Sequence, residues 1–308
     1  MRRCAVLVVL MSVLPAWAEM AYVPNEKSAT LSVIDTARDS VVYTVPVGQR
    51  PRGIAVGAHH VYLTDGKSGS LLIVDRKRGD TLDTLRLGDS PEGVSLSPDG
   101  KLLAVAIEDD NAVHLVSTVN RREVAKIKVA GKNPEHAVFS PDGRWLYVSA
   151  EEAEQVDVID LRTRRQASSI PVGKRPRGMG FLPDGSLAYV ACELAGKVYA
   201  VDTRTQRVVA EIPVGQYPNG IAVHPDGKRV FVSNGRDGSV MAIDVATQQV
   251  SGTVAVGKRP WNMALTAGGE KLYVANGRSG TVSVIDTASF SVLKDIEVGE
   301  LPWGVAIR

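Results

Sequence analysis

The sequence predicts an all-β fold, a seven-bladed β-propeller of four-stranded antiparallel blades, and three observations carry that expectation. A proline behind a Gly-x-x spacer recurs at Pro51, Pro91, Pro134, Pro176, Pro218, Pro260 and Pro302, at intervals of 40, 43, 42, 42, 42 and 42 residues. Each interval holds four short apolar runs bounded by turn residues, the pattern of one propeller blade. The chain opens on a second-strand sequence, Ala21-Tyr22-Val23, and finishes on a first-strand sequence, Pro302 to Ile307. The last strand can therefore complete the blade that the first one begins, which closes the ring and removes exposed sheet edges.

Taken in order, Met1-Arg2-Arg3 is a short basic head, Cys4 to Leu14 an apolar run, and Pro15-Ala16-Trp17-Ala18 an Ala-x-Ala ending. That order predicts a secretory leader over 1–18, cleaved after Ala18, and an export route to the periplasm. A single propeller domain over 19–308 is expected to follow, with no membrane span once the leader is cut. The unit from Gly220 shows how each blade is written. Ile221–Val223 precedes the turn Pro225-Asp226-Gly227, in which proline presets φ and glycine accepts the left-handed position. Val230–Ser233, Val240–Ile243 and Val250–Val256 supply the remaining strands. Middle strands such as Val230-Phe231-Val232 are apolar throughout, as expected of strands packed between two neighbouring sheets. A β-solenoid would need shorter coils and parallel pairing, whereas these tight turns favour antiparallel hairpins.

Composition narrows the function. With 44% hydrophobic and 23% charged residues, the balance is that of an ordinary globular protein. Removing Arg2 and Arg3 from 36 basic residues leaves 34, which equals the 34 acidic ones. A neutral chain has no bulk electrostatic reason to bind nucleic acid, although Arg175, Arg177, Lys258 and Arg259 offer a local basic stripe. Of two cysteines Cys4 leaves with the leader, so Cys192 is expected as a free, partly buried thiol and the fold has no internal disulfide.

Tyr22-Val23, Tyr147-Val148, Tyr189-Val190 and Tyr273-Val274-Ala275-Asn276 resemble the YVTN-type propeller repeat, as do Val284-Ile285-Asp286-Thr287 and Val47-Gly48. The resemblance spans essentially the whole mature chain. More narrowly, Tyr22 to Lys27, Arg50 to Ala55 and Pro302 to Val305 resemble a periplasmic subgroup associated with pyrroloquinoline-quinone (PQQ)-dependent alcohol catabolism. The resemblance implies a PQQ-associated role and a periplasmic protein partner, a dehydrogenase or electron-transfer component; the propeller itself is expected to be a monomer. Quinoprotein dehydrogenases themselves usually carry larger propellers with a Trp-docking motif, which this chain does not show.

Residues just after each marker proline are expected to ring one mouth of the central channel: Arg52, Glu92, Glu135, His136, Arg177, Asn219, Trp261, Asn262 and Trp303. Packing alone would keep repeat positions alike, yet these differ in charge and size from blade to blade, as functional loops on a rigid scaffold do. The second-to-third-strand loops add Glu108-Asp109-Asp110, Glu151-Glu152 and Glu193 in blades three to five, and Lys67, Arg236 and Arg278 elsewhere. This predicts an acidic and a basic half of the face. His136, Glu135, Glu151 and Glu193 are candidate ligands for a divalent metal, with His136 alternatively a general base. Trp261 and Trp303 can stack on a planar quinone or plug the mouth. His59-His60, His224 and His114 read as turn or packed residues. The function expected first is a non-enzymatic binding or scaffolding protein. A metal-dependent lactonase or lyase comes second and a nucleic-acid binder third.

Overall fold

The computed structural model describes residues 19–308, and the expected leader lies outside the described residues. Seven four-stranded antiparallel sheets surround a central channel, and the described residues contain no helix. Blade six shows the common plan with Pro218–Val223, Arg229–Asn234, Ser239–Asp244 and Gln249–Ala255 running from the channel outward. In blade one the innermost strand is Ala306–Ile307, which pairs antiparallel with Met20–Asn25 through Ala21–Ile307 and Tyr22–Ala306. Ring closure through the C-terminal strand thus matches the sequence expectation. The clasp is reinforced where Trp303 N donates to Pro24 O at 3.0 Å and Glu26 N to Leu301 O at 2.9 Å.

The burial of each strand follows its distance from the axis. Second strands are buried on both faces, as in Arg229–Asn234, and outermost strands alternate, as in Arg165–Pro171. Apolar side chains from neighbouring blades meet in the seams between them, and in blades four to seven an aromatic of the second strand sits deep: Tyr147, Tyr189, Phe231 and Tyr273 are all at most 1% exposed. Hydrophobic burial between sheets is the main force holding the ring. Among the described residues no helix is long and apolar enough to cross a membrane.

The channel is narrow because glycine lets the innermost strands touch. A Cβ on Gly53 would lie 2.3 Å from Glu92 O, one on Gly178 2.5 Å from Asn219 O, and one on Gly220 2.5 Å from Trp261 O. Hydroxyls of the second strands tie the same contacts. Thr64 accepts from Gly53 N at 2.8 Å and donates to Glu92 O at 2.7 Å, and Ser233 repeats the arrangement between Gly220 N and Trp261 O. Blade is locked to blade at the axis.

Candidate functional site: the channel mouth

Two backbone devices place side chains at the mouth. In blades two to seven the pairing of the first two strands breaks just after the marker proline, as between Pro51 and Ile54 or Pro176 and Met179. The break is a bulge that frees the next residue from the ladder and re-aims it. Arg52, Glu92, Glu135, Arg177, Asn219 and Trp261 all occupy that position. The second device is a latch. In every blade the carbonyl before the proline accepts the amide that opens the second-to-third-strand turn. The donors are residues 26, 66, 108, 151, 193, 235 and 277, at 2.8 to 3.1 Å. Six of the seven accepting residues, such as Arg175 with φ 60° and Arg259 with φ 56°, are held in the left-handed region, uncommon for any residue but glycine. The latched position is Glu26, Glu108, Glu151 and Glu193 in four blades and Gly66, Gly235 and Gly277 in the other three. The glycines leave room for larger neighbours: a Cβ on Gly277 would meet the Trp261 ring at 2.7 Å.

These side chains surround a cavity of about 280 Å³. Arg177 is its hub. Its Nη1 donates to Glu135 at 2.8 Å and contacts Glu151, while its Nε donates to Glu193 at 2.9 Å. Glu193 also meets Arg175 at 3.3 Å and Arg259 at 3.0 Å. Across the mouth Glu26 holds Arg50 at 2.7 Å and Arg52 at 3.2 Å, and Arg52 reaches on to Glu92. Within the cavity acids and bases therefore interleave, since opposite charges lower each other's energy most when alternated at contact distance; Lys67, Arg236 and Arg278 of the expected basic half lie outside it.

The titration behaviour follows from this crowding. Burial and the nearby Glu135 charge push Glu92 up to about 8 against the pull of Arg52. Glu151 is also raised, by burial first and then Glu135, with Arg177 opposing. Burial acts on Glu135 in the same sense, but Arg177, His136 and Arg52 together hold it below the ordinary carboxylate value. Two close carboxyl groups divide in this way because ionising both is costly. Burial disfavours the charged Arg177, yet Glu135, Glu151 and Glu193 keep it charged and raise its pKa.

Arg52, Glu92, Glu135, Arg177, Asn219, Trp261, Asn262 and Trp303 all line the cavity, together with Glu151. His136 does not. Its ring stacks on Trp303 with centroids 5.6 Å apart and planes 20° from parallel, and its buried Nδ1 has no hydrogen-bond partner. Burial lowers its pKa. Trp303 therefore packs inside the channel. The carboxylates brought together are Glu108, Glu135 and Glu151, with one oxygen of each within 4.8 Å of the others, so His136 and Glu193 stand apart from that cluster. The cluster does not fit a divalent ion as a resident: the Arg177 guanidinium bridges Glu135 and Glu151 and holds the place a cation would take. Cys192 is wholly buried rather than partly so, and burial pushes its thiol up to about 12. Glu26, Arg50, Arg175 and Arg259 also line or gird the mouth. Their signal in the sequence is positional, since each either precedes a marker proline or opens a latched turn.

The family model for the seven-bladed β-propeller lactonases matches residues 161–295, and that for the cytochrome D1 heme domain matches residues 96–222. Each spans less than half of the chain, and the lactonase match includes Arg177 and Glu193 but not Glu92, Glu108, Glu135 or Glu151. Comparison with curated protein sequences gives no match. Among solved structures the chain is similar to hydrazine synthase of Kuenenia stuttgartiensis, with a TM-score of 0.79 and 24% identity over 87% of this chain and 92% of that one. It is also similar to a functionally unknown protein of Desulfotomaculum acetoxidans, with a TM-score of 0.83 and 16% identity over 94% and 98% of the two chains. At such identities the likeness is one of fold. The seven closed blades and the two partial matches together make this chain a β-propeller protein.

Proposed function

We propose that this protein is a periplasmic binding propeller that docks a protein partner on its channel mouth and serves a PQQ-dependent alcohol-oxidising system without turning over substrate itself. The observation that carries the reading is the saturation of Arg177 by Glu135, Glu151 and Glu193. Side chains committed to one another in this way present a fixed pattern of charge, which gives a partner specificity and orientation. Groups that must take up and release protons during catalysis need freedom that this lattice withholds. The likeness of Tyr22 to Lys27 and Pro302 to Val305 to the PQQ-associated propellers supports the choice of system.

The test mixes the purified protein with the PQQ-dependent alcohol dehydrogenase and the cytochrome c of its own periplasm and reads complexes by native mass spectrometry. The expected result is a defined complex with one of them that Arg177→Lys abolishes, since an ammonium cannot reproduce the forked contacts. No association with either overturns the reading.

A second reading has one observation in its favour. Glu92 is a buried carboxyl in a cleft with its pKa pushed up to about 8, the signature of a group suited to proton transfer near neutrality. It supports metal-free lactone hydrolysis with Glu92 moving the proton, while the partial lactonase match, over residues 161–295, bears on the chain without reaching Glu92. Turnover of a lactone panel that is lost in Glu92→Gln would establish this activity, and an inert wild type would dismiss it.

A further inference from the structure

A second concavity, of about 790 Å³, opens between blades six and seven. Its walls come from the latched turns of those blades and the link between them. Arg236 N donates to Gln216 O at 3.1 Å and Arg278 N to Lys258 O at 3.0 Å, so the backbone carrying each cation is pinned. Tyr217 lies between two guanidiniums, with Arg236 5.6 Å and Arg259 5.7 Å from its ring centroid. Arg259 is also held by Glu193 at 3.0 Å, and it lines both this groove and the central mouth. Arg259 is thus a wall common to the two concavities.

The charges of this groove are uncompensated. Its one carboxylate, Asp237, accepts from Gln216 N at 2.7 Å. Arg236, Lys258 and Arg278 are exposed, and among the described residues none of them is in an ion pair. The contrast with Arg52, Arg175 and Arg177, each bound by carboxylates, is sharp. Three unpaired cations on a pinned backbone around a phenol form a site for an anion. A cavity this size exceeds what a single small ion fills. A polynucleotide needs a field of cations along its phosphates, whereas the cations next to the groove along the mouth, Arg259, Arg175 and Arg177, are already held by carboxylates.

We infer that the groove between blades six and seven receives an Asp/Glu-rich segment of the protein partner, beside the mouth that Arg259 shares. The inference builds on the docking reading above. It names the acidic chemistry of the partner and the blades that it covers.

The experiment measures fluorescence anisotropy of a labelled oligoglutamate peptide against the wild type and the variant Arg236→Ala/Lys258→Ala/Arg278→Ala, with inorganic phosphate and oligothymidylate of matched charge as competitors. The expected result is salt-sensitive binding that the triple variant weakens by about tenfold, as losing three exposed ion pairs implies. Phosphate at equal concentration should compete poorly. Absence of binding, equal binding by the triple variant, or displacement of the peptide by oligothymidylate at lower concentration would each overturn the inference. The two readings fail separately: salt-sensitive peptide binding that the triple variant weakens, with no complex formed by the dehydrogenase or the cytochrome, would remove the mouth reading and leave the groove standing.

Discussion

His136 and Trp303 lie face to face in the channel, 5.6 Å between ring centroids, and so join blade four to blade one across the bore. Only 9% of Trp303 is exposed, and its backbone amide helps to close the ring. Truncation of a large buried aromatic usually costs 3–5 kcal/mol, so Trp303→Ala should lower stability by about 3 kcal/mol or more in urea denaturation. A double-mutant cycle with His136→Ala should return a coupling of about 1 kcal/mol, the scale of stacked rings. Additive single effects would show that the rings merely coexist.

Arg177→Ala removes the hub of three buried carboxylates. Breaking a buried ion pair from one side leaves uncompensated charge, and the expected loss is about 3 kcal/mol at neutral pH. Without the guanidinium the carboxyl pKa values rise, so the variant's deficit should shrink as the pH falls and protons replace the missing cation. Denaturation midpoints of variant and wild type, compared at neutral and mildly acidic pH, test both statements. A deficit that ignores pH would locate the damage in packing instead.

Glu92 carries the opposite dependence. Its folded pKa, about 8, lies above the ordinary 4.5. Between those values the folded state holds a proton that the unfolded state has released, so the contribution to stability is full below the ordinary value and is lost as the pH rises through the folded one. Glu92→Gln keeps a neutral hydrogen-bonding group and should flatten that fall. The melting temperature of the wild type minus that of Glu92→Gln should therefore become more negative from about pH 5 to about pH 8. A constant difference would mean that Glu92 stays ionised beside Arg52.

The glycines at the axis can be told apart by what surrounds them. Gly53→Ala drives a methyl to 2.3 Å from Glu92 O, where only backbone movement can make room. Overpacking of this kind costs about 1–3 kcal/mol. Gly66 has nothing nearer than 3.7 Å to a new methyl and no left-handed φ, so Gly66→Ala should be close to neutral. Urea midpoints that move equally for the two would contradict the close approach of blades two and three.

The architecture was legible because marker prolines 40 to 43 residues apart count the blades directly. The mouth was partly legible for the same reason: position after the proline identifies Arg52, Glu92, Glu135, Arg177 and Trp261 without any knowledge of their partners. Pairing was not. Whether Glu193 would join a metal cluster or hold Arg175, Arg177 and Arg259 depends on the curvature of the ring, which no local pattern records. His136 illustrates the limit. One residue further along than Glu135, it points down the bore to Trp303 instead of out at the carboxylates. Glu26 and Arg50 escaped notice because their part at the mouth is the ion pair that joins blade one to blade two, a relation that only folding creates.

That latch has a consequence for how such a protein can change. Residues 26, 66, 108, 151, 193, 235 and 277 are fastened by their main-chain amides alone, so the fastening is indifferent to the side chain each one carries. The ring behaves as a dial of seven keys. Swapping a glutamate for a glycine at one key keeps the latch and releases the arginine that the carboxylate held, whereas the reverse swap at Gly277 must first displace the Trp261 ring. New specificities on this frame are therefore reachable by single steps, each leaving the other six keys in register.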